Sequence, residues 1–270
     1  MKLAICNETF GDMPLANALN MAREAGYTGW EVAPFTLFED IESFSAADRK
    51  DYRQKVEDSG LTIIGLHWLL AKTEGFHLTT MDDQVRRRTR DYFLKLIDLC
   101  GDLGGELMVL GSPGQRNFPE QQGEASAMEM AADCLSGITG GLDDQNVFLA
   151  LEALGPEEGN FLNTADLSAE LAQMIGHPKV GLHLDVKAMS ADPAPTTEVI
   201  RKHAHHTFHF HANDPNRRGP GMGDVDFVPI YEALLESGYD RWVSVEVFDY
   251  SPGVEKLVCE SADNLRAAGF

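Results

Sequence analysis

Four short stretches decide the fold: FLALE at Phe148–Glu152, GLHLD at Gly181–Asp185, TFHFH at Thr207–His211 and WVSVE at Trp242–Glu246. Strict alternation along an extended strand places Phe148, Ala150 and Glu152 on one face and Leu149 and Leu151 on the other. The same rule groups His183 with Asp185 against Leu182 and Leu184. It sets Thr207, His209 and His211 against Phe208 and Phe210, and Trp242, Ser244 and Glu246 against Val243 and Val245. One face of each stretch is uniformly apolar and the other is mixed. In a closed parallel barrel the first face packs on an outer ring of helices and the second points into the barrel. Each stretch then ends on an inward polar group, in the order Glu152, Asp185, His211, Glu246, with gaps of 33, 26 and 35 residues that suit successive βα units.

Working outward, four earlier apolar runs complete the set: Lys2–Asn7, Gly29–Ala33, Thr62–His67 and Leu107–Gly111. The last four strands are expected over Val147–Glu152, Val180–Asp185, His206–His211 and Trp242–Val247. Amphipathic segments fill the gaps. Leu15–Ala25 has Leu15, Ala18, Leu19 and Ala22 at helical spacing with Gly26 as a stop, and Ala47–Ser59 ends at Gly60. Further helices are predicted at Asp82–Leu99, Ala125–Gly137, Asp166–Ile175, Thr196–His203, Phe227–Glu236 and Val254–Ala268. Eight strands in 270 residues match the size of one (β/α)8 TIM barrel. No glycine-rich phosphate loop follows an early strand, which argues against an open doubly wound sheet. A single domain over residues 1–270 is expected.

The balance of 43 acidic against 22 basic side chains gives a formal charge of -21. Such a surface repels phosphate backbones and anionic membranes, so neither is an expected partner. The amino terminus lacks the basic leader and apolar segment of a signal peptide, and no apolar run is long enough for a membrane helix. Cys6, Cys100, Cys134 and Cys259 are widely spaced without a C-x-x-C pair, which reads as reduced thiols in a cytoplasmic protein. A small carbohydrate is the expected partner, and homo-oligomerisation is left open.

Three carboxylates and an imidazole converging at one rim are costly unless they share a cation. Glu152, Asp185, His211 and Glu246 are therefore read as ligands of one divalent metal ion. An oxygen-rich set with one nitrogen suits Mn²⁺ first, with Mg²⁺ and Co²⁺ close and Zn²⁺ as a further alternative. Other groups are placed around the rim. His67 and Trp68 end the third strand, where His67 could bond a sugar hydroxyl and Trp68 stack on a ring. Ser112 and Arg116 lie in GSPGQR after the fourth strand, a site for substrate oxygens, and Lys187, after the sixth, could neutralise an enolate. Glu31 is expected to bond a neighbouring rim side chain. His183 and His209, one layer deeper, are read as structural, with His209 able to support the metal shell.

These motifs, chiefly LALEALGPEEGN, GLHLDVKAM, FHFHANDPNRRGPGMGDVDF and WVSVEVFD, resemble those of the sugar phosphate isomerase/epimerase superfamily, the xylose-isomerase-like barrels. The resemblance covers nearly the whole chain and is nearest in site pattern to the ketose 3-epimerases. It implies metal binding by Glu152, Asp185, His211 and Glu246, proton transfer by the two glutamates, and substrate contacts from Arg217 and Glu158. The chain departs from the pattern at Ala188, where most members carry a histidine three residues after the aspartate. Its fourth strand ends Gly111-Ser112, without the extra histidine of the related AP endonucleases. The expected activity is metal-dependent isomerisation or epimerisation of a small carbohydrate or keto-sugar, with paired glutamates moving a proton through a metal-held enediolate. The alternatives are a lyase or dehydratase on a keto-sugar or inosose using the same site, an AP endonuclease-like hydrolase, or a non-catalytic sugar-binding barrel.

Overall fold

The computed structural model describes residues 1–270. Eight parallel strands follow one another around a closed barrel: β1 (Lys2–Cys6), β2 (Gly29–Val32), β3 (Thr62–Leu66), β4 (Leu107–Leu110), β5 (Phe148–Glu152), β6 (Val180–Asp185), β7 (Thr207–Ala212) and β8 (Trp242–Val245). The ring closes where β1 lies beside β8, with Lys2 opposite Trp242 and Ile5 opposite Val245. Closure removes the exposed edges that an open sheet would leave.

The helices are α1 (Leu15–Glu24), α2 (Ala46–Asp58), α3 (Asp83–Asp102), α4 (Glu124–Ser136), α5 (Thr139–Gln145), α6 (Ala165–Ile175), α7 (Val186–Met189), α8 (Thr196–His203), α9 (Phe227–Glu236) and α10 (Val254–Ala268). Their starts follow side-chain chemistry. Ser45 and Asp48 form a reciprocal capping box on α2, and Asp82, Thr164 and Asp226 accept backbone N–H groups at the starts of α3, α6 and α9. Gly60 (φ 88°) follows α2 in the left-handed region, which a residue without Cβ enters at no steric cost. No helix is long and apolar enough to cross a membrane.

The main core lies between strands and helices. Leu149, Leu151, Leu184, Phe210, Val243 and Val245 from the strands pack in one cluster with Leu171, Ile200, Leu234 and Leu257 from the helices. A second, small cluster of Leu107, Val109 and Ala150 plugs the barrel interior, with Phe148 and Phe208 against it. The placement of Phe208 corrects the alternation expected for TFHFH. A register shift lets Leu182 pair with Thr207 and His183 pair with His209, so the strand carries one extra residue at Phe208. The Phe208 ring therefore turns inward against Phe148, at 5.0 Å between centroids, and Thr207 turns away to donate its hydroxyl to the His203 carbonyl. His209 and His211, beyond the bulge, keep their inward direction. All four cysteines are free.

Candidate active site

Above the apolar plug, the barrel interior is filled with ionisable groups. Glu31, His67, Glu152, His183, Asp185, His209, His211 and Glu246 are all buried. His211 sits at the centre. Its Nδ1 is 3.0 Å from Glu246 Oε2, and its Nε2 is 3.2 Å from both Glu31 oxygens. Glu31 also accepts from His209 Nε2 at 2.8 Å. A carboxylate behind one ring nitrogen fixes the tautomer of an imidazole whose other nitrogen faces a site. Glu31, expected only as a rim hydrogen-bond partner, is thus the group that orients both histidines of β7.

Glu246 is gripped from a second side. Trp68 Nε1 donates to Glu246 Oε1 at 2.6 Å, and His67 Nδ1 lies 3.3 Å from the same oxygen while its Nε2 meets Glu8 at 2.9 Å. Burial alone would drive His67 to its neutral form, but Glu8, Glu246 and Glu31 raise its pKa well above the ordinary histidine value. Burial likewise opposes ionisation of Glu246, and His211 and His67 outweigh it, holding that carboxyl below its usual range. Glu8 was not anticipated from the sequence. It lies in a short 3₁₀ turn, Asn7–Phe10, that continues β1 over the barrel mouth.

Glu152 and Asp185 lie on the other side of His211 under a different field. Burial, followed by the charges of Glu246 and Asp185, pushes the Glu152 pKa well above normal. Asp185 is raised by burial and by Glu246, against the pull of Lys187, although Asn213 Nδ2 and the Ala188 N–H donate to it at 2.6 and 2.8 Å. Ligand atoms from Glu152, His183, Asp185 and His211 lie within 4.8 Å of one another. Buried, mutually repelling carboxylates around an imidazole form a donor set that a divalent cation would neutralise, so these residues fit such an ion. Glu246 joins this group through its contact with His211 rather than within the 4.8 Å set.

Gly111, at the end of β4, makes room for Glu152. A Cβ at this position would stand 1.5 Å from Glu152 Oε2. The Arg116 guanidinium is buried behind the same carboxylate, donating to the Glu152 main-chain carbonyl at 2.8 Å, with burial lowering its pKa to about 10.

Over this layer opens a cavity of about 410 Å³ at the carboxyl ends of the strands. That size lies in the range of small-molecule sites. Of the residues singled out from sequence, Glu152, Glu246, Trp68, Ser112, Glu158, Lys187 and Arg217 line it. His67, Arg116, Asp185 and His211 lie beneath or behind its wall. Lys187 bonds Glu158, and its ammonium sits 5.0 Å from the Phe248 ring centroid. Trp68 stacks on Phe248 at 5.9 Å, forming an aromatic wall. Lys72, Gln115, Leu154 and Phe248 also line the cavity and escaped the sequence reading, because each lies in a loop with no periodic pattern. Trp68, Lys72 and Arg217 have φ of 52°, 59° and 70°. Left-handed backbone is strained for such residues and clusters at functional sites. The Arg217 carbonyl accepts N–H groups from Phe248 and Asp249, tying the loop after β7 to the loop after β8.

A closed eight-stranded parallel ring defines a (β/α)8 barrel, and its ionisable groups gather under a cavity at the strands' carboxyl ends, where that architecture usually carries its site. Residues 19–268 match the family described as the xylose isomerase-like TIM barrel, and the chain belongs to it. Among curated relatives, a probable ketose 3-epimerase of Synechocystis sp. is 25% identical over 236 residues, covering 85% of this chain and 77% of that protein. An L-ribulose 3-epimerase of Mesorhizobium japonicum is 26% identical over 244 residues, covering 87% of this chain and 75% of its own. The crystal structure of D-psicose 3-epimerase with D-tagatose from Clostridium cellulolyticum superposes with a TM-score of 0.87 at 18% identity, covering 99% of both chains. That likeness speaks to the fold.

Proposed function

We propose that this chain is a divalent-metal-dependent isomerase or epimerase of a small carbohydrate or keto-sugar. The observation that carries the proposal is that Glu152, ending β5, and Glu246, just after β8, reach one cavity of about 410 Å³ on either side of His211. The two relatives described above, both carrying 3-epimerase names, favour the same reading.

Glu152, Asp185, His211 and Glu246 would hold the ion, with Mn²⁺ the first choice on donor type. When bound, such an ion supplies Lewis acidity to a carbonyl oxygen and the hydroxyl beside it. The chain's own groups do the rest. One glutamate takes the proton from the carbon next to the carbonyl while the other, starting protonated, delivers its own proton to the opposite face, which inverts that centre. Return to the adjacent carbon instead gives aldose–ketose exchange. Trp68 and His67 hold Glu246 through Oε1, and Gly111 leaves Glu152 its space, so both carboxylates are aimed before substrate arrives. Lys187, Glu158, Ser112 and Arg217 offer polar groups to substrate hydroxyls, and the Trp68–Phe248 wall offers a sugar ring an apolar face. His67 and Arg116 act one step behind, as positioning residues for Glu246 and Glu152.

Incubating the purified chain with Mn²⁺ and ketohexoses in D₂O tests the proposal. Deuterium at the carbon beside the carbonyl, together with a new epimer, is the expected result. A dehydrated product would move the chain to the lyase alternative. Nicking of abasic DNA, or sugar binding without turnover, would overturn the reading.

A further inference from the structure

His183 is left without a task by the scheme above. It stands beside Glu152, its register partner across the β5–β6 pair, and only 1% of it is exposed. Neither of its ring nitrogens has a hydrogen-bond partner, although both are buried. Buried polar atoms in native proteins are nearly always satisfied, so an imidazole with both nitrogens stranded points to a ligand. The surroundings say which kind. His183 Nε2 lies 3.9 Å from Glu152 Oε1, too far for a hydrogen bond. It falls within the roughly 4.0–4.4 Å that two donors can span when each reaches one ion at about 2.0–2.2 Å. The His183 ring meets His211 edge-on, 4.1 Å between centroids at 73°. One of its ring nitrogens also falls within 4.8 Å of one ligand atom each of Glu152, Asp185 and His211, a distance Glu246 does not share with that group.

We propose that His183 is a ligand of the same divalent ion, so that this chain presents two imidazoles and at least two carboxylates where the resemblance implied one imidazole. The inference rests on the metal-site reading above and changes its chemistry. A second nitrogen moves a hard, oxygen-rich site towards borderline ions, so Zn²⁺ and Co²⁺ gain on Mg²⁺. It also gives the polar side of β6 its use, since His183 and Asp185 then bind the ion from one strand while Glu152 and His211 bind it from the strands on either side.

Two measurements test this on the full chain. Pulsed EPR of the Mn²⁺-loaded wild-type protein counts coordinated nitrogens directly: two imidazole couplings are expected, and one in His183→Leu. In parallel, metal-stripped wild type, His183→Leu and His183→Gln are titrated with Zn²⁺, Co²⁺ and Mg²⁺, with circular dichroism as the folding control. Zn²⁺ affinity should fall by about 100-fold or more in His183→Leu, at or beyond the upper end of what loss of an outer-shell partner causes, while Mg²⁺ affinity stays nearly constant. A single nitrogen coupling in the wild type overturns the role of His183 and leaves the metal site standing. Unchanged Zn²⁺ affinity in a folded His183→Leu does the same. Failure of the wild type to bind any divalent ion removes both readings.

Discussion

Gly111 and Glu152 show how one missing carbon serves a site. The Glu152 carboxylate occupies the space that a side chain on Gly111 would take, and the clash would fall on the far end of a flexible side chain rather than on backbone. Gly111→Ala should therefore spare the fold and displace the carboxylate. The expected loss in kcat/KM is about 100-fold, the scale of a one-ångström misplacement at a reacting centre. Thermal unfolding should show at most the modest effect of a tight contact. Gly140→Ala, on α5 with nothing within 4 Å of its added Cβ, is the control and should leave both quantities unchanged. Glu246→Gln keeps the shape of the side chain and removes the carboxylate proposed as base. Turnover should fall by roughly 10²–10⁴-fold with an unchanged circular dichroism spectrum, and a folded variant that retains substantial turnover would remove Glu246 from the proton-transfer role. At this scale the sequence was legible where strand alternation ends on a polar residue, as at Glu152, Asp185, His211 and Glu246. Glu8 was not, because a 3₁₀ turn carries no period, and its partnership with His67 spans distant parts of the chain. Arg116, placed on the rim by its position in GSPGQR, is instead buried against the Glu152 carbonyl.

Elements were predicted well wherever one period ran unbroken from a start signal to a stop. Thr196–His203, Phe227–Glu236 and Val254–Ala268 have the expected bounds. The misses have physical causes. Helix α5 lies in TGGLDDQ, whose glycines and acids give no helical signal; Gly141 instead lets it pack close to Leu94 and Ile97 of α3. The inward turn of Phe208 comes from a bulge, and an extra residue in a strand cannot be seen from alternation on that strand alone. Helix α2 gives an element-scale prediction. Asp48 accepts hydrogen bonds from the Ser45 N–H and hydroxyl, while the Asp48 N–H donates to the Ser45 hydroxyl. These bonds hold the Asp48 pKa below its ordinary value of 3.8. A carboxyl with a depressed folded-state pKa adds stability above its unfolded value and loses it as pH falls through the folded one. Asp48→Asn should therefore lower the urea midpoint at neutral pH, and the gap from wild type should close as pH drops below 3.8. A gap of constant size down to pH 2 would show that the side-chain charge contributes nothing to the cap.

On the scale of the whole molecule, two electrostatic burdens add together. The chain carries a formal charge of -21, and its barrel buries Glu31, Glu152, Asp185 and Glu246 close to one another. Surface repulsion is diffuse and yields to any salt. The buried repulsion is local, and it is relieved by a proton on Glu152 or Asp185 or by a cation that reaches both, because burial and neighbouring carboxylates are what raise both pKa values. These acids sit on adjacent strands β5 and β6 and meet His211 on β7, so a bound ion would tie consecutive segments of the ring into one unit. A ligand held only by the folded state stabilises it by about 2.7 kcal/mol at a hundred times its dissociation constant. For a chain of this length that corresponds to a rise in Tm of roughly 5 °C. The check is thermal unfolding of EDTA-stripped protein with and without Mn²⁺, at ionic strength matched with NaCl. NaCl alone should raise Tm slightly by screening the surface, and Mn²⁺ should add its increment on top. A paired Glu152→Gln, Asp185→Asn variant should unfold higher than stripped wild type, since its buried repulsion is gone, and should no longer respond to Mn²⁺. Equal Tm values for wild type in Mn²⁺ and in matched NaCl would mean that the acids of this barrel hold no ion, and the proposed chemistry would lose its electrophile.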